Sequence, residues 1–93
     1  MGRCKKQRCC RFLADSIIFK PLAVPFHDIV LSEIAVDEFE AMRLCDHEKK
    51  SQIEAARAMG ISRGTVQRLL ESGRYKIVNA FLDSRAIRIR NKN

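Results

Sequence analysis

The stretch from Ser51 to Leu82, SQIEAARAMGISRGTVQRLLESGRYKIVNAFL, leaves the chain few choices. It reads as a helix, a tight turn and a longer second helix. Ser51 and Glu54 have the spacing of a capping box, in which each side chain satisfies an otherwise unpaired backbone N–H. Ala55, Ala56 and Met59 place small and apolar groups on one face. Gly60 follows where the chain must turn, since a left-handed conformation costs least without a Cβ. Ile61 plugs the corner and Ser62 can cap the next helix. Beyond it Val66, Leu69, Leu70, Gly73, Ile77, Ala80 and Phe81 recur at three- and four-residue steps, which predicts one continuous buried stripe.

The spacing says more than the residue types. A DNA-binding helix-turn-helix needs a small residue where its helix axes cross, a turn glycine four residues later, and a branched apolar residue six beyond that. Ala56, Gly60 and Val66 meet these demands, with Ile61 and Leu69 in support. An ordinary helical hairpin shares much of this pattern, so other features must separate the two readings.

Charge is one of them. Ninety-three residues make one small domain, and the formal net charge of +7 favours a polyanionic partner. Residues 1–11 carry Arg3, Lys5, Lys6, Arg8 and Arg11 with no acid, Glu33 to Glu48 is acidic, and bases dominate again from Arg57. Positive charge therefore gathers on an N-terminal arm and around the second motif helix. The arm can track phosphates or enter a minor groove, although a solvated terminus would look the same. No apolar run approaches the roughly 20 residues of a membrane span, and the start does not read as a secretory signal. The expected location is the cytoplasm, with no membrane partner.

The cysteines give little. Cys4, Cys9, Cys10 and Cys45 contain no Cys-x-x-Cys pair, so no metal ligand set and no cofactor is assigned, and free thiols are expected. Cys45 reads as a core residue. Between residues 12 and 34, Ile17–Phe19 and Ile29–Leu31 suit short strands, and Pro21 and Pro25 forbid a helix through the middle. His27 is expected on a loop. A helix is expected over Val36–His47, with Phe39, Met42 and Cys45 facing inward and Asp37, Glu38 and Glu40 on an acidic outer face. No nucleophile, histidine pair or phosphate loop accompanies these carboxylates, so no enzyme is expected. Ala86–Arg90 alternates at period two and predicts a strand that pairs with an early segment.

Several of these segments resemble a known group: D-E-F-E-A-M-R-L (Asp37–Leu44), S-Q-I-E-A-A (Ser51–Ala56), M-G-I-S-R (Met59–Arg63), T-V-Q-R-L-L-E-S (Thr65–Ser72) and A-I-R-I (Ala86–Ile89). From about Val30 to Ile89 the chain is similar to a small prokaryotic family of uncharacterised, predicted DNA-binding proteins. Their helix-turn-helix resembles region four of sigma factors. Departures are Gly2 and Cys4 in place of arm prolines and Ala35 in place of a threonine, which leaves Asp37 to cap. Gly64 and Gly73 stand where better helix formers are usual, each costing about 1 kcal/mol against alanine.

The expected fold is mainly α, a helix-turn-helix bundle similar to sigma region four, with short flanking strands. Residues 1–11 form the arm and residues 12–93 a single domain. The expected function is sequence-specific binding of double-stranded DNA by a transcriptional regulator. Ser62, Arg63, Gly64, Thr65, Gln67 and Arg68 would face the major groove. Ser51, Gln52, Arg74, Lys76, Arg3, Lys5 and Lys6 would hold phosphates. A motif of this size buries little surface, which favours a homodimer joined through the stripe ending at Phe81 or through the last strand. Two rivals remain open. One is a protein-interaction adaptor touching RNA polymerase, which the sigma resemblance implies. The other is a metal or redox sensor using Cys4, Cys9 and Cys10.

Overall fold

A computed structural model describes residues 18–90. The arm, with Arg3, Lys5, Lys6, Cys4, Cys9 and Cys10, lies outside the described residues. Chain order is β1 (Ile18–Phe19), a 3-10 turn (Phe26–Asp28), β2 (Leu31–Ala35), α1 (Val36–Met42) running into a π-helical turn (Arg43–His47), α2 (Gln52–Met59), α3 (Arg63–Leu82) and β3 (Ala86–Arg90). The protein is mainly helical with a small three-stranded sheet.

The junctions follow from local chemistry. Ser51 caps α2: its side chain accepts from the Glu54 N–H at 3.0 Å while Glu54 Oε1 accepts from the Ser51 N–H at 2.9 Å. Gly60 ends α2 in the left-handed region with φ of 71°, and the Ile61 N–H donates to the Ala56 carbonyl at 3.0 Å. Ser62 then caps α3, accepting from the Thr65 N–H at 3.1 Å. All three features match the expectation from sequence.

Other boundaries moved. The second strand starts at Leu31 rather than Ile29, because the Asp28 N–H closes a turn onto the Pro25 carbonyl at 3.0 Å. Asp37 does not cap α1; Ala35 holds the N-cap position, and Glu38 Oε1 reaches back to the Ala35 N–H at 2.9 Å. Three residues on from the cap, Glu38 is the nearest carboxylate with the right reach. The end of the expected helix widens into the π turn, where the Glu48 N–H donates to the Arg43 carbonyl at 3.0 Å. The Arg43 guanidinium grips Glu40 at 2.6 Å and also pairs with Glu48, bracing that turn from outside.

Strand order is β1-β3-β2, with β3 antiparallel to β1 and parallel to β2. The terminal strand thus pairs with both early segments, and Glu33 pairs with Arg88 across the parallel ladder. The core lies between this sheet and the three helices. Ile34 of β2 with Val66 and Leu70 of α3 are its largest fully buried side chains, and Ala41, Met42, Leu44, Ala55 and Ala56 complete it. Ala55 and Ala56 are small enough for α2 to lie close against α3.

Two expectations about burial are corrected. The stripe on α3 keeps Val66, Leu70, Gly73 and Ala80 inside, but Phe81 is 75% exposed: Ala80 beside it is still fully buried, so Phe81 stands off the covered side, toward the exposed Val78 and Leu82. Glu38 is not on an outer acidic face. It is buried where α1 crosses α3, hydrogen-bonded by Ser72 and paired with Lys76 Nζ at 2.9 Å. Burial pushes its carboxyl up. The Ser72, Lys76 and Ala35 hydrogen bonds and the Lys76 charge outweigh that, holding it below its ordinary value of 4.5.

Gly73 sits in the same crossing. A Cβ there would meet Met42 Cε at 2.8 Å and Glu38 Cβ at 3.3 Å, whereas one at Gly64 would meet only Arg68 Nη1 at 3.8 Å. Gly64→Ala should therefore raise stability by about 0.5–1 kcal/mol through helix propensity. Gly73→Ala should lower it, because overpacking costs about 1–3 kcal/mol and exceeds the same gain. Urea midpoints of the two variants should move in opposite directions.

The Glu38 contribution carries a pH signature. Its carboxyl ionises more readily folded than unfolded, so its stabilisation is complete above pH 4.5 and is lost as pH falls through the folded value. Glu38→Gln should cost about 1–3 kcal/mol at neutral pH. In urea titrations at successive pH values, the gap between variant and parent should close in acid.

Candidate nucleic-acid interface

The first two turns of α3 and the start of α2 meet at one exposed edge. Ser62 and Thr65 place their hydroxyls 2.8 Å apart, and Arg68 Nη2 donates to Thr65 Oγ1 at 3.2 Å. Arg63 Nη1 donates to Gln52 Oε1 of α2 at 2.9 Å and to Gln67 Oε1 at 3.2 Å. Gln67 Nε2 in turn donates to Glu71 Oε2 at 3.4 Å. Arg63, Gln67 and Arg68 are exposed, and Gly64 and Thr65 are half-buried. The structure thus brings Ser62, Arg63, Gly64, Thr65, Gln67, Arg68, Ser51 and Gln52 to one side. Arg63 links the two helices there.

The chemistry of this edge is that of a donor-rich polar surface. It offers two guanidiniums (Arg63 and Arg68), two amides (Gln52 and Gln67), each with a donor and an acceptor, and three hydroxyls (Ser51, Ser62 and Thr65). At the start of α2 the Glu54 carboxylate already takes a backbone N–H, and the Ser51 hydrogen bond holds it below its usual range. The Ser51 oxygen is likewise engaged as the cap, which leaves its hydroxyl hydrogen to donate outward.

Arg74 and Lys76 stand apart from that edge. Lys76 turns inward to Glu38, and Arg74 donates to Asp46 at 2.6 Å, a bond that raises the affinity of its guanidinium for the proton. Both were expected to hold phosphates. Their heads are instead committed to carboxylates of α1 and its π turn, because α3 lays that flank against the acidic segment.

Along the outer side of α3, Arg63, Gln67, Glu71, Tyr75, Val78 and Leu82 follow one another at steps of four or three residues. The row is polar over its first half and apolar over its second, where Tyr75, Val78, Phe81 and Leu82 are all more than half exposed. Two residues of consequence escaped the reading of the sequence. Glu38 follows the spacing of Ala41, Met42 and Cys45 and so belonged with the inward face; Glu71 follows Arg63 and Gln67 at helical steps.

Cys45 packs against the core, and burial, with Asp46 nearby, pushes its thiol up, which makes it a poor nucleophile. Among the described residues no group of three His, Cys, Asp or Glu side chains is arranged to hold a metal ion. No helix among them is long and apolar enough to cross a membrane.

Comparison with known proteins places the chain in a family. The profile described as protein of unknown function DUF134 matches residues 1–92. A UPF0251 protein of Desulforudis audaxviator is 41% identical over 93 residues, covering 100% of this chain and 61% of that protein. One from Halothermothrix orenii is 39% identical over 95% of this chain and 65% of its own length. One from Shewanella baltica is 40% identical over 96% of this chain and 91% of its own length. The chain therefore spans about three fifths of some relatives and nearly all of others. No solved structure matches it. The chain belongs to the family of proteins of unknown function DUF134, whose matched members are the UPF0251 proteins.

Proposed function

We propose that this protein is a sequence-specific binder of double-stranded DNA and acts as a transcriptional regulator, with α2 and α3 serving as a helix-turn-helix. The observation that carries the reading is the exposed edge at the start of α3. Arg63, Gln67 and Arg68 extend from one rigid helix that is buried along its other side. Arginine can hold guanine O6 and N7 with two bonds, and glutamine can do the same with adenine N6 and N7. The three-residue corner Gly60–Ile61–Ser62 and the capping hydrogen bonds hold α2 across the base of α3, so Ser51 and Gln52 would meet the flanking phosphates. The net charge of +7 supplies long-range attraction.

The proposed dimer draws no support from α3. Its exposed apolar half continues the row of Arg63 and Gln67, so two copies joined there by a two-fold axis would turn their reading edges opposite ways. One straight duplex could not meet both. A second reading, a protein-interaction adaptor, is favoured by that same apolar half, Tyr75 to Leu82.

The two readings separate on binding measurements. For a DNA reader, Arg63→Ala should cost about 1–3 kcal/mol on the preferred site and relax its specificity. Affinity for random duplex should fall steeply with salt. An adaptor would show neither effect, and Val78→Asp would then be the damaging change.

A further inference from the structure

Glu71 is the one acid on the polar half of the α3 row, and its surroundings are unusual. Helical spacing puts two cations within reach, Arg68 three residues before it and Arg74 three residues after. Neither turns to it: Arg68 donates to Thr65 at 3.2 Å and Arg74 pairs with Asp46 at 2.6 Å. Among the described residues Glu71 forms no ion pair; its carboxylate accepts only from the Gln67 amide, at 3.4 Å. Resting on the DNA-binding reading above, this leaves an unneutralised carboxylate pointing where a duplex would lie. Against phosphates such a group is repelled. Against the floor of a major groove its suitable partners are the exocyclic amino donors, adenine N6 and cytosine N4; adenine sets the N7 acceptor beside its amino group, which repels a carboxylate, so glutamate pairs with cytosine N4.

We propose that Glu71 is a specificity-determining residue, so that Arg63, Gln67 and Glu71 form a base-reading row selective for guanine, adenine and cytosine edges. Glu71 does this in two ways. Its carboxylate accepts from the cytosine amino group. It also fixes the Gln67 amide: the NH2 faces Glu71 and the oxygen faces Arg63, so one of the two amide orientations is set before DNA arrives. Four-residue steps separate the three side chains by about 6 Å each along the axis, roughly 12 Å in all, which spans about four base pairs. The preferred cytosine therefore lies within about four base pairs of the Arg63-dependent guanine.

The test is selection and sequencing of randomised duplex DNA by the full chain, as wild type, Glu71→Ala and Glu71→Gln. Alanine is the best helix former and the site is exposed, so the variants should fold. The wild-type site should contain guanine, adenine and cytosine preferences within that span. Glu71→Ala should keep the guanine and lose roughly tenfold discrimination at the cytosine, while binding random duplex more tightly. Glu71→Gln should replace cytosine by adenine there. An unchanged site in Glu71→Ala, or a wild-type site without that cytosine, overturns the proposal and leaves the DNA-binding reading standing. Failure of the wild type to bind any duplex overturns both.

Discussion

The structure depends on how closely α1 can approach α3. At Gly73 there is no side chain, and Met42 and the Glu38 stem fill the space a Cβ would take. That contact lets the Glu38 carboxylate reach Ser72 and Lys76, so a charge is buried with its hydrogen bonds made rather than missing. Once α1 is seated, Leu44 and the π turn lie against the core that α2 shares, and Ile34 from β2 closes the other side. The long helix α3 touches both other helices and two strands along its twenty residues, and β1 joins the structure through β3.

The same arrangement sorts the positive charge of α3. Lys76 and Arg74, on the flank toward α1, are neutralised within the protein by Glu38 and Asp46. Arg63 and Arg68, a turn or more earlier, have only neutral side-chain partners among the described residues: an amide on α2, an amide on α3 and a hydroxyl. Those bonds orient the guanidiniums without consuming their charge. Under the proposed DNA-binding function, a surface built this way would set its cations and the Glu71 carboxylate at fixed spacing against a duplex.

Much of this was legible in the sequence, and the reasons are local. The Ser51–Glu54 box, the Gly60 turn and the Ser62 cap depend on residues three or four apart, so they could be placed before any packing was known. Ala86–Arg90 declared itself by alternation. What depended on distant partners was not legible. Asp37, Glu38 and Glu40 were grouped by charge, and only the crossing with α3 separates Glu38 from the others. Lys76 looked like a phosphate ligand because its partner lies 38 residues away. Phe81 fitted the apolar period but stands off the covered side, which periodicity alone could not say. Gly73 looked like a weak helix position until Met42 filled the space beside it.

Backbone amide chemical shifts followed during titration with short duplexes would show whether the start of α3 meets DNA as proposed. Salt-sensitive shifts should concentrate at Ser62–Glu71 and at Ser51–Gln52, with the Tyr75–Leu82 turns and the sheet little changed. Shifts absent from Ser62–Glu71, or confined to the exposed apolar end of α3, would contradict the DNA-binding proposal.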